Sequence, residues 1–322
     1  MSKVFARQTF FGIFQHKRFF ILAVVVVFVL LAMVNRREND THPKVVREIP
    51  VQKELLEMLE FYRHYSYYTD PGEHVAMYHD LPSSLPELCG LIKAQLIHPS
   101  ELPRYRDVLA PEKASEDGNY QTVKNILAGL AAANPAGLTK DREPGQRLIL
   151  SCRYHAILLA SILKSRNIPV RVRYGFARYL HPGHHIYHVI CEVWNDDEQR
   201  WMLVDPDRKM VDFSADQFEF APDAWIQYRQ GKLDTSTYGV QGYWGAHPIL
   251  STMSHDLASV LGNEHIYWDE PPVSNITEME VGSIPRDQAV TLDEMATLLR
   301  DPDMHFSELQ AMYDNHKFLQ FP

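Results

Sequence analysis

The sequence predicts an α+β fold, on three observations. One strongly helical run, Cys152 to Ser165 (CRYHAILLASILKS), is followed by three segments rich in β-branched and aromatic residues, Val170 to Arg178, Tyr187 to Trp194 and Trp201 to Val204. The last two are joined by NDDEQ, short enough for an antiparallel hairpin. With 45% hydrophobic, 23% charged and 11% aromatic residues, the 322-residue chain has the composition of a folded protein rather than a disordered one.

Taken in order, residues 1–18 read as a short basic tail with Lys3, Arg7, Lys17 and Arg18 and no acidic side chain. Sixteen apolar residues follow without interruption, Phe19 to Val34. As a helix they span about 24 Å, and snorkelling basic flanks extend that towards the ~30 Å hydrocarbon core. Residues 19–35 are therefore read as a single-pass transmembrane anchor. The stretch Ala32-Met33-Val34 lacks the small final residue that a signal-peptide cleavage site requires, which disfavours removal. Lys and Arg tie at four on each side of the run, leaving orientation open on charge. The acid-free tail sets the preference for a cytoplasmic N-terminus and a body outside. Residues 36–50 are polar and turn-rich, a linker.

Helical spacing resumes at Val51 to Tyr62, with Leu55, Met58, Leu59 and Tyr62, and again at Thr122 to Ala133, with Val123, Ile126, Leu127 and Leu130. Between them prolines break the chain into short helices or turns. After the strands, two capped helices are expected, one opening at Thr291 with Glu294, another at Ser307 with Gln310. The body is read as 51–270, with 271–322 a C-terminal helical extension.

Charge and cysteine usage exclude several classes. Residues 1–48 hold 8 basic and 3 acidic side chains, leaving 24 basic and 38 acidic, a net −14 on the body. Such a surface repels phosphate backbones, so no nucleic-acid partner is expected. Three widely spaced cysteines, Cys89, Cys152 and Cys191, exclude a disulfide scaffold and offer no CxxC pair. No cofactor is expected, and no run resembles a calcium loop. Imidazoles at His181, His184, His185 and His188 invite a metal reading, but Pro182 and Gly183 argue for a turn leading into a strand rather than a ligating helix.

Cys152 stands where a helix begins, so the free N–H groups of the first turn favour its thiolate. A thiol nucleophile needs an imidazole to take its proton and a carboxylate to fix the imidazole. Strand alternation puts His188, Ile190, Glu192 and Trp194 on one face and Tyr187, Val189, Cys191 and Val193 on the other, which makes Cys191 the poorer candidate. Trp201, Leu203 and Asp205 share a face of the partner strand, so the hairpin brings Asp205 within reach of His188.

The stretch RLILSCRYHAILLASILKSRNIPVRVRYGFARYLHPGHHIYHVICEVWNDDEQRWMLVDPDRK resembles the core of the transglutaminase-like superfamily. Cys152-Arg153 is similar to its Cys-Arg signature, Ile168-Pro169-Val170-Arg171 to the element that closes the helix, His188 leads the HVICEVW strand and Asp205 ends the WMLVDP strand. Weaker similarity reaches Leu81 to Leu88 and Ala224 to Trp244, towards a bacterial branch of the superfamily. Three positions depart from that branch: Asn167 where Gly is usual, Tyr187-His188-Val189 for Asp-His-Trp, and Cys152-Arg153-Tyr154 for Cys-Arg-Asp. The resemblance implies a papain-like core and a Cys152, His188, Asp205 triad. The implied activity is acyl transfer or hydrolysis on an amide, ester or thioester of a protein, peptide or small molecule. Amide synthesis from carrier-bound thioesters and a catalytically silent scaffold at the membrane are the alternatives. Arg153 is left between a substrate contact and a structural ion pair, and Trp225, Tyr228, Tyr243 and Trp244 between a cleft wall and core.

Overall fold

The computed structural model describes residues 50–322. The expected tail, the anchor over residues 19–35 and the linker as far as residue 49 lie outside the described residues. Among the described residues no helix is long and apolar enough to cross a membrane.

Helix α1 (Pro50–Arg63) buries Met58, Leu59 and Tyr62, as their spacing predicts. Then come α2 (Leu85–Gln95), capped by the Ser84 hydroxyl, a two-residue strand β1 (Leu96–Ile97), and α3 (Val123–Ala133), capped by Thr122. A matching strand β2 (Leu148–Ile149) pairs parallel with β1 just before the strongest helical run of the sequence, α4 (Cys152–Lys164). Every residue of α4 is buried, which makes it the axis of the domain. It ends on Asn167 at φ 61°, the left-handed conformation Asn adopts at low cost, before Ile168-Pro169 turns the chain into the sheet.

The main sheet runs in the order β6, β5, β4, β3, β7: β3 (Val170–Ala177), β4 (His185–Asn195), β5 (Arg200–Asp205), β6 (Met210–Val211) and β7 (Phe218–Phe220), each antiparallel to its neighbour. The expected hairpin is present, with Trp194 opposite Trp201 and Cys191 opposite Val204. Helix α5 (Ala221–Arg229) follows, then β8 (Tyr238–Val240), parallel to β4, and β9 (Tyr243–Trp244). Helix α6 (Ala246–Val260), buried throughout, lies along β3, where Asp256 Oδ1 accepts the Tyr174 N–H at 2.9 Å and Ser259 donates to the Val172 carbonyl. A short α7 (Glu278–Val281), α8 (Arg286–Leu299) and α9 (Pro302–Asn315) complete the chain. Leu292, Met295, Leu299 and Leu309 share one apolar core with α6. A second core, under α4, holds Val172, Tyr174, Val189 and Cys191. The α+β class is therefore borne out.

Two expected helix starts are corrected. Thr291 is interior to α8, which opens five residues earlier, and its hydroxyl back-bonds to the Asp287 carbonyl. Ser307 lies inside α9, past a kink at His305. A capping box does occur upstream, at Thr277 with Glu280. The sequence pattern also missed six short strands, β1, β2 and β6 to β9, because two or three residues are too few to show alternation.

Gly175 is paired with His188 across the β3–β4 ladder. A Cβ there would run into the Glu219 carbonyl oxygen and the Phe218 ring, and backbone cannot yield. Gly175→Ala is expected to lose about 1–3 kcal/mol in chemical denaturation.

Candidate active site

Ser151, the residue before α4, is extended at φ −71° and ψ 177°, and its side chain makes no cap bond. The start of the helix is pinned instead from outside. Leu150 N–H donates to the Ile97 carbonyl, and Ser151 N–H donates to Asp117 Oδ1 at 2.9 Å. The Asp117 carbonyl in turn accepts from the Tyr154 hydroxyl, and its Oδ2 accepts from the Tyr267 hydroxyl at 3.3 Å. Cys152 follows at the first helical position, 5% exposed, beside first-turn N–H groups that favour negative charge.

His188 and Asp205 meet as the hairpin predicts. His188 Nε2 donates to Asp205 Oδ2 at 2.8 Å, and both residues are out of solvent, at 1% and 0% exposure. The other ring nitrogen is thereby left free of Asp205, and Cys152 lies near enough for its charge to act on the imidazole. Asp205 has two more donors: the Tyr179 hydroxyl to Oδ2 at 2.6 Å and the Arg208 N–H to Oδ1 at 3.0 Å. Tyr179 also sets its ring edge-on to His188, at 6.1 Å, and is backed by Phe213.

Burial opposes charge on His188, but the Asp205 carboxylate and then Cys152 overcome it and hold the imidazole well above its usual value of 6.5. Burial likewise opposes ionisation of Asp205, yet His188 and Tyr179 keep its carboxyl below the ordinary range. The other two thiols are different. Burial pushes Cys89 up to about 12 and Cys191 well above its usual value, and the Cys191 sulfur donates to the Ala156 carbonyl on the face away from His188. Of the three cysteines, Cys152 is the one whose charge acts on the His188 imidazole.

The residues with two open readings divide clearly. Arg153 is 1% exposed and donates to the carbonyls of Gln121, Glu264 and His265, with its guanidinium 5.0 Å over the rings of Tyr68 and Tyr154. It clamps two loops to α4 and faces no substrate space. Trp225 is core, its indole N–H donating to Asp293, with Tyr228 packed on it. Tyr243 is 41% exposed and bonded to His247. The four clustered histidines diverge: His181 and His184 touch at an exposed turn, His185 stacks on Tyr238, and His188 joins Asp205. Among the described residues no group of three or more His, Cys, Asp or Glu is placed to hold a metal ion. Sequence reasoning missed Tyr179 and Asp117, which sit in irregular stretches with no periodicity.

Residues 147–206 match the family model described as the transglutaminase-like superfamily, a span that takes in Cys152, His188 and Asp205. No curated protein and no solved structure matches the chain.

Because Asp205 is depressed, its contribution to stability is present above its unfolded pKa of ~3.9 and is lost as pH falls. Tyr179→Phe removes one donor and lets the folded pKa rise towards the unfolded one. The variant is expected to be less stable by about 1.5 kcal/mol at pH 7, with the gap closing towards pH 3 in denaturant titrations.

Proposed function

On the premise that residues 147–206 are a transglutaminase-like core, we propose that this protein is a thiol enzyme acting by acyl transfer through a cysteinyl thioester. The single observation that carries the reading is the buried His188–Asp205 bond, with Cys152 near enough for its charge to act on the imidazole. Cys152 Sγ attacks the carbonyl carbon of an amide, ester or thioester, and the thiol proton rests on His188. The carbonyl electron pair moves to oxygen, and the N–H of Cys152 at the helix start is the backbone donor assigned to it. Collapse re-forms the carbonyl, breaks the bond to the leaving group and passes the His188 proton to it. Water or an amine then attacks the thioester, His188 takes a proton from that nucleophile, and Sγ leaves and is reprotonated. Asp205 stays ionised throughout and holds the ring in place. The acceptor decides between hydrolysis and transfer.

Two exposed aromatic residues lie close to the helix start. Tyr267 and Trp268, 39% and 47% exposed, pack edge to face at 4.8 Å, and the Tyr267 hydroxyl donates to Asp117. Asp117 is bonded to the residue preceding Cys152, so this aromatic pair lies next to the nucleophile and suits the flat or apolar part of an acyl donor. The reading includes a single-pass anchor at residues 19–35, with the catalytic body on the extracytoplasmic side.

The test is acylation of the full-length protein by a panel of activated amides, esters and thioesters, followed by peptide mass spectrometry. An acyl adduct is expected on Cys152, absent in Cys152→Ala, with formation slowed about 10²–10⁴-fold in His188→Ala. Adducts spread over Cys89 and Cys191, or indifferent to His188, contradict the reading.

A further inference from the structure

Behind the triad lies a second set of buried charges that the proposed chemistry does not use. Asp207 stands two residues beyond Asp205 on the turn between β5 and β6 and is 2% exposed. Its Oδ1 accepts from Lys93 Nζ, on α2, at 2.8 Å. Lys93 also donates to Glu101 Oε2 at 2.6 Å, on the turn that follows β1. From α4, one turn after Cys152, His155 Nδ1 donates to the Ser151 carbonyl at 3.0 Å and aims Nε2 at Asp207 Oδ1, 3.6 Å away.

The hydrogen on Nδ1 leaves Nε2 of the neutral ring with a lone pair facing a carboxylate. Neither that nitrogen nor Asp207 Oδ2 has a hydrogen-bond partner. Arg208 Nε approaches Oδ2 at 3.3 Å, while its backbone N–H serves Asp205. The His98 ring lies 6.4 Å from that of His155 and keeps its Nδ1 as acceptor for the Ser100 N–H. Lys93 is thus the cation hydrogen-bonded to this buried carboxylate, with Arg208 pairing its other oxygen at 3.3 Å. Two carboxylates on one short turn beside His188 would otherwise add their fields.

We propose that the Lys93–Asp207 ion pair is a positioning element of the triad. It ties the Asp205 turn to α2 and cancels the second carboxylate's field, and so sets the pH range over which Cys152 and His188 react. The inference rests on the triad reading of the site. Burial opposes ionisation of Asp207, but the cationic forms of His155 and His98, with Lys93 and His188, hold its carboxyl well below the usual range, so His188 lies within its field.

The experiment is the pH dependence of Cys152 alkylation by iodoacetamide in the full-length protein, read by peptide mass spectrometry. Lys93→Met leaves Asp207 with Arg208 alone as its paired cation and moves the acid limb of the profile to higher pH. Asp207→Asn leaves a cation and moves it to lower pH. Each shift is about half a pH unit, a threefold change in rate at fixed pH on the limb. The charge-neutral double variant restores the wild-type limb, and Lys93→Arg preserves it. Glu101→Gln, at the edge of the network and tolerant of folding, moves the limb down by a smaller amount. Shifts of one sign in all variants, no shift in Glu101→Gln, or a double variant that stays displaced overturns the proposal. A wild-type profile that is unaffected by His188→Ala overturns the triad reading itself, a separate failure from the first.

Discussion

The bond between His188 and Asp205 is the contact on which the rest of the arrangement depends, because each group favours the charged form of the other and neither is exposed to solvent. Taking two ions out of solvent costs several kcal/mol each unless their remaining lone pairs and protons are satisfied. Here they are satisfied in detail. Tyr179 and the Arg208 N–H fill the other lone pairs of Asp205, and Cys152 lies near enough for its charge to act on the imidazole. The need for those partners explains the local backbone. Strand β5 must stop at Asp205 so that the Pro206–Arg208 turn can fold back on it, and β3 must carry Gly175 opposite His188 where Phe218 closes in.

The same sheet face continues as a ladder of buried charges away from the site. Arg171 and Arg173 both reach Glu192, at 2.5 and 2.8 Å, and Arg173 is bidentate to Asp256 of α6. Burial works against Glu192, yet the two guanidinium groups hold it down to about 2. Arg171 also pairs with Asp303 of α9, whose other oxygen accepts from the Trp201 indole. These pairs explain why β3 alternates Val and Arg. Its apolar face packs on α4, and its charged face is closed by carboxylates arriving from β4 and from two helices late in the chain. The C-terminal helices thereby complete the sheet that carries His188.

Much of this is legible from residue order. Helical spacing places α1, α3 and α4, alternation places β3 to β5, and parity puts His188 and Asp205 on one face of the hairpin. What escapes the sequence are groups whose role depends on distant partners. Tyr179 lies just past the end of β3 and shows no pattern, yet it bonds to a residue 26 positions away. Arg153 keeps two readings until the loops at Gln121 and Glu264 are seen to need its donors. Thr291 resembles a cap because Ser and Thr bond to nearby carbonyls inside helices as well as at their starts.

If His188 is held as a charged imidazole by Asp205 and Cys152, its titration must show it. The direct measurement is ¹⁵N-histidine NMR, with the signal assigned by its loss in His188→Ala. The expected midpoint lies well above 6.5 and falls when Asp205 is replaced by Asn. A midpoint at or below 6.5, unmoved by Asp205→Asn, would contradict this.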